Sequence, residues 1–126
     1  MLTILDQDLY ENEVMQADRP VLLCFFSCAF FSREINRMLK ALSREYALIG
    51  FYAVPEEEHR FFFEKFQFIG TPTFILLERG MERGRILGMV SFDELNDFIQ
   101  SKIRESRKSN LPFTEKSPAA GWSQCA

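Results

Sequence analysis

The chain has 126 residues, with 15 Lys and Arg against 18 Asp and Glu, giving a formal net charge of −3 with its single His neutral. A single domain of this length buries about two-thirds of the surface its unfolded chain exposes, so disulfides or a structural metal are not needed for folding. Mild acidity spread over both signs argues against a nucleic-acid partner, which calls for a clustered basic face. The longest apolar run, Val21 to Phe26, is too short to cross a bilayer, so no membrane partner is expected.

The composition is otherwise ordinary apart from 14 Phe, which predict a phenylalanine-rich core. Met1-Leu2-Thr3-Ile4-Leu5-Asp6 has no basic segment ahead of an apolar stretch, so no export signal is expected and the expected compartment is the cytoplasm. Thiols stay reduced there, and three Cys leave one unpaired. Cys24, Cys28 and Cys125 are therefore weighed singly and not as a disulfide framework.

In chain order, Leu2 to Leu5 is a short apolar edge segment, and Asp6 caps a predicted helix with Tyr10, Val14 and Ala17 at helical spacing. After Pro20, Val21-Leu22-Leu23-Cys24-Phe25-Phe26 is a continuous apolar run, the pattern of a central strand buried on both faces. From Phe31, apolar residues recur at Ile35, Met38, Leu39, Leu42 and Tyr46, with Arg33, Glu34, Arg37, Lys40, Arg44 and Glu45 between them. This predicts one long amphipathic helix.

Leu48 to Val54 predicts a second buried strand. Pro55 breaks it, and Glu56-Glu57-Glu58 supplies acids to the first turn of a helix running to about Phe66. Three successive Phe at 61–63 cannot all face a core, so one must point outward. After Gly70-Thr71-Pro72, Thr73 to Leu77 predicts a strand, Arg79 to Gly84 a turn, and Arg85 to Val90 the strand that completes a hairpin. Ser91 and Glu94 form a capping box for a last helix carrying Leu95, Phe98, Ile99 and Ile103 on one face. The periodic pattern stops there, which divides the chain into an expected domain at 1–104 and an expected flexible tail at 105–126 rich in Ser, Pro and Lys. The order β-α-β-α-β-α-β-β-α predicts an α/β chain with a central mixed sheet flanked by helices on both faces.

This arrangement resembles the thioredoxin family. Ile69-Gly70-Thr71-Pro72-Thr73, running into Phe74-Ile75-Leu76-Leu77 and followed by Gly80 and Leu87-Gly88, is similar to the family's cis-proline loop and terminal hairpin. Asp18, Pro20 and the Val21 to Phe26 run fit the same pattern, so the resemblance spans about residues 2 to 104. It implies a thioredoxin fold, with the chemistry where the central strand meets the long helix, in a Trp-Cys-Gly-Pro-Cys motif. Here that stretch is Phe26-Ser27-Cys28-Ala29-Phe30-Phe31-Ser32-Arg33, with no Cys-x-x-Cys. Counted back from the helix, Ala29 takes the nucleophile's place and Ser32 the resolving one, with Phe30 and Phe31 between. Counted forward from the strand, the loop is one residue short.

Under either count a dithiol cycle has no second local cysteine, because Ser cannot attack a mixed disulfide. The family's buried acid on the central strand corresponds to Cys24. Cys28 is the one thiol near the site, either a single reactive cysteine at a helix start or a small residue in a tight loop. Cys24 is expected to behave as a small buried hydrophobe. Cys125 is a distant candidate for a resolving thiol. His59 is expected to be a solvated helix residue, and no metal or cofactor site is expected.

The resemblance also implies a cis bond at Pro72 and backbone pairing of Thr71 with an extended partner chain. A partner groove is expected at Phe30, Phe31, Thr71, Pro72, Leu87, Gly88 and Met89. Two functions follow: a protein-binding or chaperone-like module that has lost dithiol chemistry, or a thiol-disulfide oxidoreductase in cell redox homeostasis that works through Cys28 alone. A third reading has the groove filled by the chain's own tail or a second copy.

Overall fold

A computed structural model describes residues 2–109, without the side chains of residues 28–32 and 105–109. The apolar runs become the strands β1 (Leu2–Ile4), β2 (Val21–Phe25), β3 (Gly50–Val54), β4 (Thr73–Glu78) and β5 (Met81–Leu87). They form one five-stranded sheet in the order β1-β3-β2-β4-β5. The two crossover pairs, β1 with β3 and β2 with β3, are parallel; β2 with β4 and β4 with β5 are antiparallel.

Between the strands lie α1 (Gln7–Leu9), α2 (Cys28–Glu45) and α3 (His59–Phe66), with α4 (Phe92–Ser109) following the hairpin. At α1, Asp6 Oδ1 accepts the Leu9 N–H at 2.8 Å, the expected cap. The helix then widens into a π-helical turn over Tyr10–Val14, in which the Met15 N–H donates to Tyr10 C=O at 3.0 Å. Tyr10 and Val14, at the two ends of this turn, are both buried.

Successive strand residues point to opposite sides, and both sides of the three central strands are buried. On one side, Val21, Leu23 and Phe25 of β2, Tyr52 and Val54 of β3 and Ile75 and Leu77 of β4 meet Tyr10 and Val14 from the π turn and Phe62 and Phe66 from α3. On the other side lie Leu22, Cys24, Phe51, Ala53, Phe74 and Leu76, all buried. There α2 packs beside β1 and β3 and buries Ile35, Leu39 and Leu42.

The core is phenylalanine-rich as expected. Phe25 stacks on Phe68 at 4.4 Å between centroids and meets Phe62 edge-on at 5.7 Å. Of the successive Phe at 61–63, Phe62 is buried, Phe61 is partly buried and Phe63 is the exposed one. Element order, mixed sheet and flanking helices agree with the sequence reading. The fold is thioredoxin-like.

The hairpin differs from expectation. The turn is only Arg79-Gly80, with φ of 54° and 78°, and Glu78 faces Met81 across it. Two successive positive φ values make a tight turn whose twist matches the strands, and Gly80 takes its value at no steric cost. The last strand therefore begins at Met81 and ends at Leu87, where the expectation was Arg85 to Val90. Gly84 lies within β5 opposite Leu76, and a bulge at Arg83 lets Glu82 oppose the next residue, Leu77. Smaller differences are that β3 begins at Gly50, α2 at Cys28, and the Glu56–Glu58 segment is a 3-10 turn ahead of α3.

Residues 90–109 belong to a separate compact unit containing α4. Its capping box is formed: the Ser91 N–H donates to Glu94 Oε1 at 2.9 Å and the Glu94 N–H to Ser91 Oγ at 3.1 Å. Leu95 and Ile99 are buried, Phe98 and Ile103 partly so, and the helix continues to Ser109.

Candidate functional site: the cis-proline loop

The loop between α3 and β4 is fixed at both ends. Helix α3 stops because Gln67 turns left-handed, φ 51° and ψ 50°, while its N–H donates to Phe63 C=O at 2.7 Å. The bulge at Arg83 places Glu82 and Arg85 on one side of β5, since their partners Leu77 and Ile75 are two residues apart on β4. Arg85 uses this position twice. Its guanidinium donates to both Glu82 carboxylate oxygens, at 2.6 and 2.7 Å, and to Phe66 C=O at the end of α3, at 2.7 Å. The hydrogen bonds to Glu82 raise the Arg85 pKa, with burial opposing.

Beyond that clamp, Phe68 returns to the core and Ile69 turns outward, 87% exposed. Thr71-Pro72 is a cis peptide, as the resemblance implied. Three hydrogen bonds hold it. Thr73 Oγ1 donates to Gly70 C=O at 2.6 Å, the Gly88 N–H donates to Pro72 C=O at 2.8 Å, and the hydroxyls of Thr71 and Ser27 lie 2.8 Å apart. Gly88 sits at φ 105°, a value that side-chain-bearing residues rarely adopt.

The Ser27–Thr71 bond ties the loop to the start of α2. Ser27 occupies the cap position, but its hydroxyl makes no capping bond and is directed to Thr71. Cys28 is the first residue of α2, followed by Ala29, Phe30, Phe31 and Ser32, whose side chains with that of Cys28 lie outside the described residues. Cys125 lies outside them as well.

On the outer side of the loop the apolar surface is open. Leu87 and Met89 are 50% and 47% exposed. A Cβ added at Gly70 would stand 3.7 Å from Leu87 Cδ1, so Ile69-Gly70 and Leu87 adjoin. Among the described residues, no backbone partner pairs with Thr71. Thr71, Pro72, Leu87 and Gly88 thus converge at the β4–β5 end of the sheet, with Ser27 and Ile69 beside them.

Cys24 is fully buried on β2 and opposes Phe74 and Ala53; burial pushes its thiol pKa up, which makes it a poor nucleophile. His59 is half-buried, where the sequence reading expected a solvated helix residue. Its Nε2 is 3.1 Å from Val54 C=O, and its ring meets Phe25 and Phe68 edge-on at 5.8 and 5.3 Å. As the first residue of α3, His59 reaches back to the last carbonyl of β3 and joins the aromatic cluster of Phe25 and Phe68.

Searches of protein-family models and of curated proteins return no match to this chain. Likeness to thioredoxins therefore rests on topology and on the cis-proline loop. Among the described residues, no His, Cys, Asp or Glu cluster is built to hold a metal, and no helix is long and apolar enough to cross a membrane. The chain is a thioredoxin-fold protein with no Cys-x-x-Cys pair.

The sequence reading gave no site role to Ser27, Ile69 or Arg85 and placed His59 in solvent. Only Ile69 carried a local signal, an apolar residue directly before a Gly-Thr-Pro loop.

Proposed function

We propose that this chain is a protein-binding or chaperone-like module that holds an extended segment of another protein along the cis-proline loop without thiol chemistry, in the cytoplasm. The observation that carries the proposal is the combination of a Thr71 backbone with no partner among the described residues and exposed apolar Ile69, Leu87 and Met89 around it. A strand laid against Thr71 gains main-chain hydrogen bonds, while alternate side chains settle on the apolar flanks. Neither contribution uses sulfur. The proposal extends by sequence position to Phe30 and Phe31 at the start of α2, whose side chains lie outside the described residues.

The placement of Cys28 favours a second reading. As the first residue of an 18-residue helix, it stands where the helix dipole stabilises a thiolate. In that reading Cys28 attacks a substrate disulfide, forming a mixed disulfide and releasing one substrate thiolate. A second, external thiol then attacks the mixed disulfide, regenerating Cys28 and leaving the external thiol bound to the substrate sulfur.

Reduced, carboxymethylated lactalbumin separates the two, because it is permanently unfolded and offers no sulfur for exchange. The groove reading expects binding by the full chain, unchanged in Cys28→Ser and weakened about tenfold in Leu87→Asp with Ile69→Asp. Binding lost in Cys28→Ser and kept in the Asp variant would overturn it. Fast alkylation of Cys28 at neutral pH together with turnover of insulin disulfides would establish the second reading.

A further inference from the structure

The exposed face of α2 carries Arg33, Arg37, Lys40 and Arg44, all exposed. Their spacing of four, three and four residues brings them within about 60° of one another around the helix, on a ridge about 16 Å long opposite the buried Ile35, Leu39 and Leu42. Among the described residues, none of the four is seen in an ion pair, unlike Arg83 with Glu78 and Arg85 with Glu82 on the β4–β5 hairpin. In a chain of net charge −3, four adjacent cations with no ion pair among the described residues repel one another and concentrate one sign.

We infer that this ridge is a docking surface for an acidic helix of a partner protein. Its shape selects the occupant. The ridge is one residue wide and flanked on one side by Glu34 and Glu45, so a broad anionic surface such as a membrane, or the two phosphate strands of a duplex, would meet those acids as well. A single file of carboxylates fits without that conflict. A partner helix with acids at the same four-three-four spacing repeats the axial rises of about 6.0, 4.5 and 6.0 Å, and the spacing is palindromic, so it fits in either direction. An extended strand presenting every second residue spans about 20 Å over the same three intervals and drifts out of register. This surface is independent of the cis-proline groove.

The test uses the full chain and two fluorescein-labelled synthetic helical peptides of identical composition. One carries four Glu at the four-three-four spacing, and the other has them distributed around the helix. By fluorescence anisotropy at low ionic strength, the patterned peptide binds about fivefold or more tightly than the scattered one, and added salt weakens it. Arg37→Glu with Lys40→Glu lowers that affinity about tenfold, whereas Arg60→Glu on α3 leaves it unchanged. Arg33→Gln with Arg44→Gln provides a milder second variant should the first not fold by circular dichroism. Equal affinity for the two peptides, no binding, or affinity unaffected by both double variants would overturn the inference. So would tighter, ridge-dependent binding of a DNA duplex or of phosphatidylserine vesicles.

Discussion

Strands β2 and β5 belong to one sheet and are separated by a single strand, yet all five residues of β2 are buried while four of the seven residues of β5 are exposed. β2 is apolar throughout and is held from both faces, so nearly any polar change there must find a partner in a dry interior. β5 carries Glu82, Arg83 and Arg85 among its seven residues, has a bulge and leads into the Leu87-Gly88-Met89 segment beside the cis-proline loop. Stability is concentrated in the first strand and accessible chemistry at the second, and the two regions are joined by β4. A binding site at the edge of such a sheet can change its side chains with little cost to folding.

The largest break in this contrast is expected from Phe25→Ala, which removes a ring packed against Phe62, Phe66 and Phe68. Urea denaturation should show a loss of about 3–5 kcal/mol, while Leu87→Ala stays within about 0.5 kcal/mol. A comparable loss at both positions would erase the distinction.

Cys24 gives a pH-dependent version of the same contrast. Its folded pKa lies above the unfolded value, so from about pH 8.5 upward the unfolded chain sheds a proton that the folded chain keeps, and stability falls as pH rises. Relative to Cys24→Ala, the wild type should lose about 2 kcal/mol between pH 7 and pH 10. Parallel pH profiles would show that the thiol is not held dry.

At the site, Ser27→Ala removes the hydroxyl bond to Thr71 and should cost about 1 kcal/mol, read as a small drop in the denaturation midpoint. The smallest effect sharpens the picture from the other direction. Gln67→Gly relieves a left-handed, side-chain-bearing residue at the end of α3 and should stabilise by about 0.5–1 kcal/mol in the same assay.

The buried half of the molecule was legible from sequence because its signals are local. Val21–Phe25 is a continuous apolar run of strand length; on the surface, the capping box of Ser91 and Glu94 at α4 is equally local, closing within one turn. The hairpin was misplaced because Arg79 adopts a positive φ that its residue type does not advertise, while Gly84, which suggested a turn, sits inside the strand. The partial burial of His59 is not legible locally because its ring contacts are Phe25 and Phe68, neither of them a sequence neighbour. The Ser27–Thr71 bond joins residues 44 positions apart and left no local trace. The spacing of Arg33, Arg37, Lys40 and Arg44 is legible in the sequence, but sequence alone does not distinguish such a ridge from the polar side of any amphipathic helix.

The most direct measurement is a nitrogen-15 chemical-shift map of the full chain as a carboxymethylated, unfolded peptide is added. Shifts concentrated at Gly70, Thr71, Leu87, Gly88 and Met89, and retained in Cys28→Ser, are the predicted result. Shifts lying elsewhere on the molecule, or disappearing with the Cys28 thiol, would contradict binding at the cis-proline loop.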